Sequence, residues 1–282
     1  MRKDASTLSL ALATLTLTAC QTTSLQSAWF DPNFTGGPMH RIAVVAVGVT
    51  LANGRVTEDI FAQRLRGAGL DAESVREAAG LSRAALAALD GVLPATSFAT
   101  LWAEAFRRAP RDELPTEVGL AVPFGAFGPL DYLAASSADV ASAFDALAAW
   151  FRTVASGVSL EVETARGEGD VRVVDTADGP APGRPREVSD EFTVAVLVGR
   201  FRSRLAPRPF RVSEVRLTRA APRRPTRHGA LLGAPVAFGC AVSALRVAAE
   251  SWQAKLPGAD LALQETLRGL AERLDLGAAA SD

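Results

Sequence analysis

The chain is short of the side chains that most catalysis uses. Its 282 residues include two cysteines, two histidines and one tyrosine. Cys20 and Cys240 are too few for a disulfide framework. His40 and His228 stand in no Ser/His/Asp order and at no metal-ligand spacing, so no catalytic residue, metal or cofactor is expected and the chain reads as a non-enzyme. A formal net charge of -1 supplies no overall field toward nucleic acid or an anionic membrane. What the chain does have is apolar mass. Hydrophobic residues make up 48%, enough to bury a core in one large domain or two small ones.

Arg2 and Lys3 precede an apolar stretch from Leu8 to Leu17. That stretch is shorter than the ~20 residues of a spanning helix and suits the apolar region of a signal peptide. Leu17-Thr18-Ala19-Cys20 resembles the bacterial lipobox, in which small residues let the peptidase hold an extended backbone and the cysteine receives diacylglycerol. Residues 1–19 are thus expected to be a lipoprotein signal peptide and Cys20 a lipidation site. Several acyl chains there would anchor an exported chain to a membrane. Arg41 to Val47 is an apolar, β-branched run that predicts a buried strand. Val56 to Leu65 predicts a short helix with acids in its first turn and arginines at its end. The order Trp29-Phe30-Asp31-Pro32, Arg41 to Val47, then Glu58-Asp59 resembles the opening of small bacterial envelope lipoproteins. Residues 20–65 are accordingly expected to form an extra strand and helix.

From residue 66 the pattern changes. Leu70, Val75 and Ala78 recur at helical spacing before Gly80, and Phe98, Leu101, Trp102, Ala105 and Phe106 share one face of a helix over 97–108. The aromatic pair Trp102 and Phe106 is expected in the core. Pro110 and Pro115 bracket what looks like a polar loop. Gly125-Ala126-Phe127-Gly128 has the glycine spacing of a phosphate cradle, but no lysine follows, and close helix packing is expected instead. Val140, Phe144, Leu147, Phe151 and Val154 stripe a helix over 139–156. Val158, Leu160 and Val162 alternate with polar residues as a half-buried strand does, and Val171 and Val173 return it as a hairpin. Residues 187–205 are apolar enough for a buried helix, though their valines also permit a strand. Phe210 to Leu217 predicts a strand bulged near Ser213. Leu232 to Phe238 and Ser243 to Val247 predict two more, and Leu263, Leu267, Leu270 and Leu274 stripe a closing helix before a tail at 277–282.

The expected fold is α+β: a helical layer, then a mixed or antiparallel sheet with a packed helix, and the extra strand and helix at the N-terminus. Across residues 66–276 several segments recur in a fixed order. They are Leu70-Asp71-Ala72, Glu117 to Leu120, Gly125 to Gly128 with Ser136-Ser137, Ser156 to Glu161, Leu232 to Phe238, and Leu256 to Asp260. In that order they resemble the N-terminal, arabinose-binding-like sensory domain of AraC-family transcription regulators. The resemblance implies a domain that binds a small-molecule effector and forms a homodimer. In that family two helix-turn-helix motifs follow the sensory domain, and no segment long enough for one follows Leu276 here, so specific DNA binding by this chain is not expected.

The effector would sit in an apolar pocket between the helical layer and the sheet, with Phe124, Phe144, Phe151 and Phe192 as candidate walls. Between Arg200 and Arg227 lie ten arginines and one acid, Glu214. Without interleaved aromatics or a groove-fitting helix, this run is expected to be a solvated strand face and loop rather than a nucleic-acid surface. The leading function is an effector-sensing and dimerisation module of the AraC type, which would be cytoplasmic. The alternative, resting on Cys20, is a lipid-anchored envelope lipoprotein with a structural or binding role.

Overall fold

A computed structural model describes residues 74, 75, 77, 95–108, 111–153, 157–175 and 183–279. The expected signal peptide, Cys20, His40 and the strand and helix expected within 20–65 lie outside the described residues. All of the described residues fall in one compact unit. The fold is mixed α and β, with eight helices and a five-stranded sheet among the described residues.

Helix α1 (Ala95–Arg108) buries Leu101, Trp102, Ala105 and Phe106, so the aromatic pair is core. A second helix, α2 (Leu114–Ala121), which the sequence did not announce, begins at the end of the expected polar loop. Pro115 begins it rather than breaking it, because a first-turn amide has no intrahelical partner to lose. Helix α3 (Pro129–Ala135) follows the glycine pair. Helix α4 (Val140–Trp150) continues as a 3-10 turn, Phe151–Thr153. Asp139 caps α4 by accepting from the Ser142 amide at 3.0 Å, and its stripe buries Val140, Phe144 and Leu147.

Strands β1 (Val158–Ala165) and β2 (Glu168–Asp175) form a hairpin in which Ala165 pairs with Glu168. Its turn is the two residues Arg166 and Gly167, both at positive φ, a geometry that matches the right-handed twist of the strands. Next comes α5 (Arg184–Leu205), a helix along its whole length despite its valines. Pro185 and Glu187 suit its first turn, and Arg202 and Arg204 its last. It runs through the middle of the molecule with nearly every face buried.

Strand β3 (Val212–Leu217) carries the expected bulge, its register with β5 slipping between Val212 and Glu214. The expected strand from Leu232 shortens to β4 (Val236–Phe238), because α6 (Thr226–Leu232) takes the residues before it and Gly233 stops that helix in the left-handed conformation. Strand β5 (Ser243–Val247), the short α7 (Ala249–Trp252) and α8 (Leu261–Ala279) complete the chain. The sheet order is β1-β2-β5-β3-β4, antiparallel except for the parallel β3–β4 pair.

Register explains how the sheet presents two different faces. Val171 of β2 lies opposite Leu245 of β5, which lies opposite Val215 of β3, and all three are fully buried. The neighbouring row, Glu163, Asp170, Arg246 and Glu214, is a ladder of charges. On the buried side the rings of Trp252, Phe144, Phe201 and Phe210 stack in a column, with successive centroids 5.4, 4.2 and 5.4 Å apart. Trp252 lies so close over Gly169 that a Cβ there would come within 2.2 Å of the indole.

Candidate functional site

The glycine pair before α3 does build a cradle, though for a group within the chain. Gly125 and Gly128 sit at φ 91° and 54°, values that L side chains rarely adopt. The turn they make points the amides of Gly125 and Phe127 at one carboxylate oxygen: both donate to Asp131 Oδ2, at 2.7 and 3.0 Å. Close helix packing, the role expected of these glycines, falls instead to Gly119 of α2 and Gly199 of α5. A Cβ on either would press into the backbone of the other helix.

Arg200 of α5 reaches the same carboxylate. Its Nη2 lies 3.1 Å from Asp131 Oδ2, and the two residues are only 8% and 5% exposed. Burial pushes the Asp131 carboxyl above its ordinary range, against the pull of Arg200 and the two amides. Burial likewise lowers Arg200. Although the charges are close, none of the three guanidinium nitrogens makes an aligned hydrogen bond among the described residues. The Phe127 ring lies over this guanidinium at 4.9 Å, and Phe124 lies under that of Arg204, one helical turn on, at 4.7 Å.

These groups line a cavity between α3, α4 and α5, closed by Leu147, Phe151, Val196, Leu197, Phe201 and Leu256. Its free volume of about 30 Å³ holds water-sized occupants. The cavity lies among the helices, and no strand lines it. Of the four phenylalanines proposed as walls, Phe124 and Phe151 line it. Phe144 stacks behind it in the aromatic column, and Phe192 packs on Trp102, 6.0 Å away, elsewhere on α5.

Asp131, Arg200 and Arg204 were not singled out from sequence. The available signal was an Arg/Arg pair four residues apart directly after the apolar stretch Val194 to Gly199, which is unlike the spacing of a solvated charge run. The arginine-rich segment is solvated only in part: Arg208, Arg211, Arg223, Arg224 and Arg227 are exposed as expected, whereas Arg200 is buried and others are engaged. Arg202 caps α6 by donating to the carbonyls of Leu231 and Leu232, Arg216 pairs with Asp170, and Arg227 pairs with Glu113 at 2.6 Å. These arginines tie elements together.

His228, expected in a loop apart from any acid, is fully buried with Nε2 3.2 Å from Glu191 Oε1. Thr116 donates to the same oxygen at 2.6 Å, and Arg219 Nη1 donates to Glu191 Oε2 at 2.7 Å. Burial alone would raise Glu191, but the His228 bond, the charge of Arg219 and the Thr116 hydroxyl hold it below its ordinary range. The cluster joins α2, α5, α6 and the segment after β3. It is sealed from solvent, which suits a structural tie better than a reacting centre. Among the described residues no group of three His, Cys, Asp or Glu is placed to hold a metal, and no helix is long and apolar enough to cross a membrane.

Residues 69–256 match the family described as the arabinose-binding domain of AraC transcription regulators, N-terminal. A crystal structure of the transcriptional regulator CdpR from Pseudomonas aeruginosa is similar at a TM-score of 0.51 and 14% sequence identity, over 75% of this chain. At that identity the likeness is one of fold. The chain spans 62% of that protein's length. No curated protein matches the chain.

Proposed function

The chain belongs to the family of N-terminal arabinose-binding domains of AraC transcription regulators, and from that premise we propose that it senses a small-molecule effector in the cavity between α3, α4 and α5. One observation supports this reading above the others: an apolar cavity holds a buried guanidinium with unmet hydrogen-bonding capacity, the pattern of a binding site with few, placed polar groups. The cavity joins α3, which packs against the terminal helix α8, to α5, which packs across the central strands. An effector there would shift elements at both ends of the molecule, as a module that passes on a signal or changes its dimer contacts must.

Filling the cavity tests the proposal. A metabolite panel that raises the melting temperature of the wild type should fail to do so for Leu147→Trp, since a ligand stabilises only the state that binds it. Equal stabilisation of both proteins would remove the site from this cavity. The lipobox-like Leu17–Cys20 supports a second reading, in which the same domain is carried on a lipid anchor. Labelled palmitate should then enter the wild type and not Cys20→Ser. Equal labelling of the two would dismiss the anchor.

A further inference from the structure

The charge inventory of the cavity says more about its ligand than its shape does. Its lining holds three charged side chains: Asp131, Arg200 and Arg204. Asp131 is already engaged, with Oδ2 accepting two turn amides and facing Arg200. Arg204 makes no close ion pair among the described residues, although its charge acts on Asp131, and its Nε is buried without a hydrogen bond. Among the described residues Arg200 keeps Nε, Nη1 and Nη2 all without aligned acceptors while only 8% exposed. Two guanidiniums thus face one carboxylate, an excess of one positive charge in a cavity whose other walls are phenylalanine, leucine, valine and alanine. A buried cation with unmet donors is costly to keep unless something accepts from it.

We propose that the cavity binds a monoanionic carboxylate with an apolar body, its carboxylate received by Arg200 and Arg204 and its body lying among Leu147, Phe151, Phe201 and Leu256. This rests on the sensory reading above and names the class of effector. A guanidinium fork matches a carboxylate two bonds at a time, and such a charge-assisted pair is stronger than the cation–π contacts with Phe127 and Phe124 that now occupy the two guanidiniums. The ligand therefore displaces those two rings, which widens a cavity that otherwise admits only water. Both rings belong to the segment that includes the Gly125–Gly128 turn. Phe124 also meets the edge of Tyr132, which is 41% exposed, so the way in from solvent is at this turn. Because that turn also holds Asp131, ligand binding pulls directly on α3.

The test compares probes of one body and different heads on the purified full chain by calorimetry and thermal shift: octanoate, octanol, octylamine and inorganic phosphate. Octanoate should bind and stabilise, with octanol and octylamine weaker by roughly tenfold or more, and phosphate inert. Arg204→Met, at a half-buried position near the helix end, should fold as the wild type does by circular dichroism and lower octanoate affinity roughly tenfold while leaving octanol unchanged. Octanol binding as tightly as octanoate, or octanoate binding untouched by Arg204→Met, would overturn the anionic class and leave the cavity as the sensory site. If none of the probes nor the metabolite panel binds, water alone satisfies Arg200, and both this inference and the site itself fall.

Discussion

Asp190 of α5 shows how much one buried carboxyl can say about the whole fold. It is 2% exposed where α5 meets β3 and β5, and its Oδ2 has a long contact of 3.4 Å with the Thr218 hydroxyl. Burial, and after it the charge of Asp175, push this carboxyl up to about 7, against Ser243, Arg186 and Thr218. The folded chain therefore keeps a proton that the unfolded chain releases near 3.8. Between those values the folded state binds more protons, so the stability that Asp190 contributes is greatest below pH ~4 and is lost as pH rises toward 7. Asp190→Asn keeps the neutral shape and has no proton to lose. Its stability relative to wild type should climb with pH across that window, by roughly 1–3 kcal/mol after allowing for solvent reaching the group, and level off above it. Urea midpoints at pH 4, 5.5 and 7 measure this, and a flat difference would show Asp190 to be ionised throughout. Such a residue is hard to read from sequence, where Asp190 and Glu191 look like exposed acids in the early turns of a helix. Only the strands and the buried His228 that cover α5 reveal otherwise, and both come from later in the chain.

At the scale of elements, legibility followed local pattern. The α4 stripe, the alternation of β1 and the Ser213 bulge were legible because each is written within a few residues and obeys a fixed period. Helices α2 and α6 were missed because Pro115 and Gly229 argue for loops, and each helix is too short to show a stripe. What holds α2 in place is tertiary: Gly119 lies against Ala195 and the carbonyl of Phe192, where a Cβ would sit 2.7 Å from each. Backbone cannot yield there as a flexible side chain can. Gly119→Ala should therefore lever α2 from α5 and cost about 2–4 kcal/mol, even though alanine favours the helix itself. Chemical denaturation measures it, and a neutral or stabilised variant would mean that the two helices are not in contact. The cavity was legible only in part, because Phe124 and Phe151 announce themselves as apolar while Arg200 resembles any other member of an arginine-rich run.

For the molecule as a whole, the question is how much of the chain the sensory fold requires. The family match begins at residue 69, and the buried apolar side chains among the described residues run from Val75 to Ala271. They include the aromatic column, the inner row of the sheet and most of the apolar walls of the cavity. The arginine-rich segment contributes to the same unit, since Arg219 and Arg227 bind acids on or beside α2 and α5. A unit with its own core and its own ion pairs folds independently of what is fused to it. Removing residues 1–68 should therefore leave a fragment that melts in one cooperative step, within a few degrees of the full chain, and that keeps whatever ligand-induced shift the full chain shows. Calorimetry on the two proteins measures both. A broad melt without cooperativity, or a fragment that folds but loses the ligand response, would place part of the sensory core in the first 68 residues and end the description of the remainder as self-sufficient.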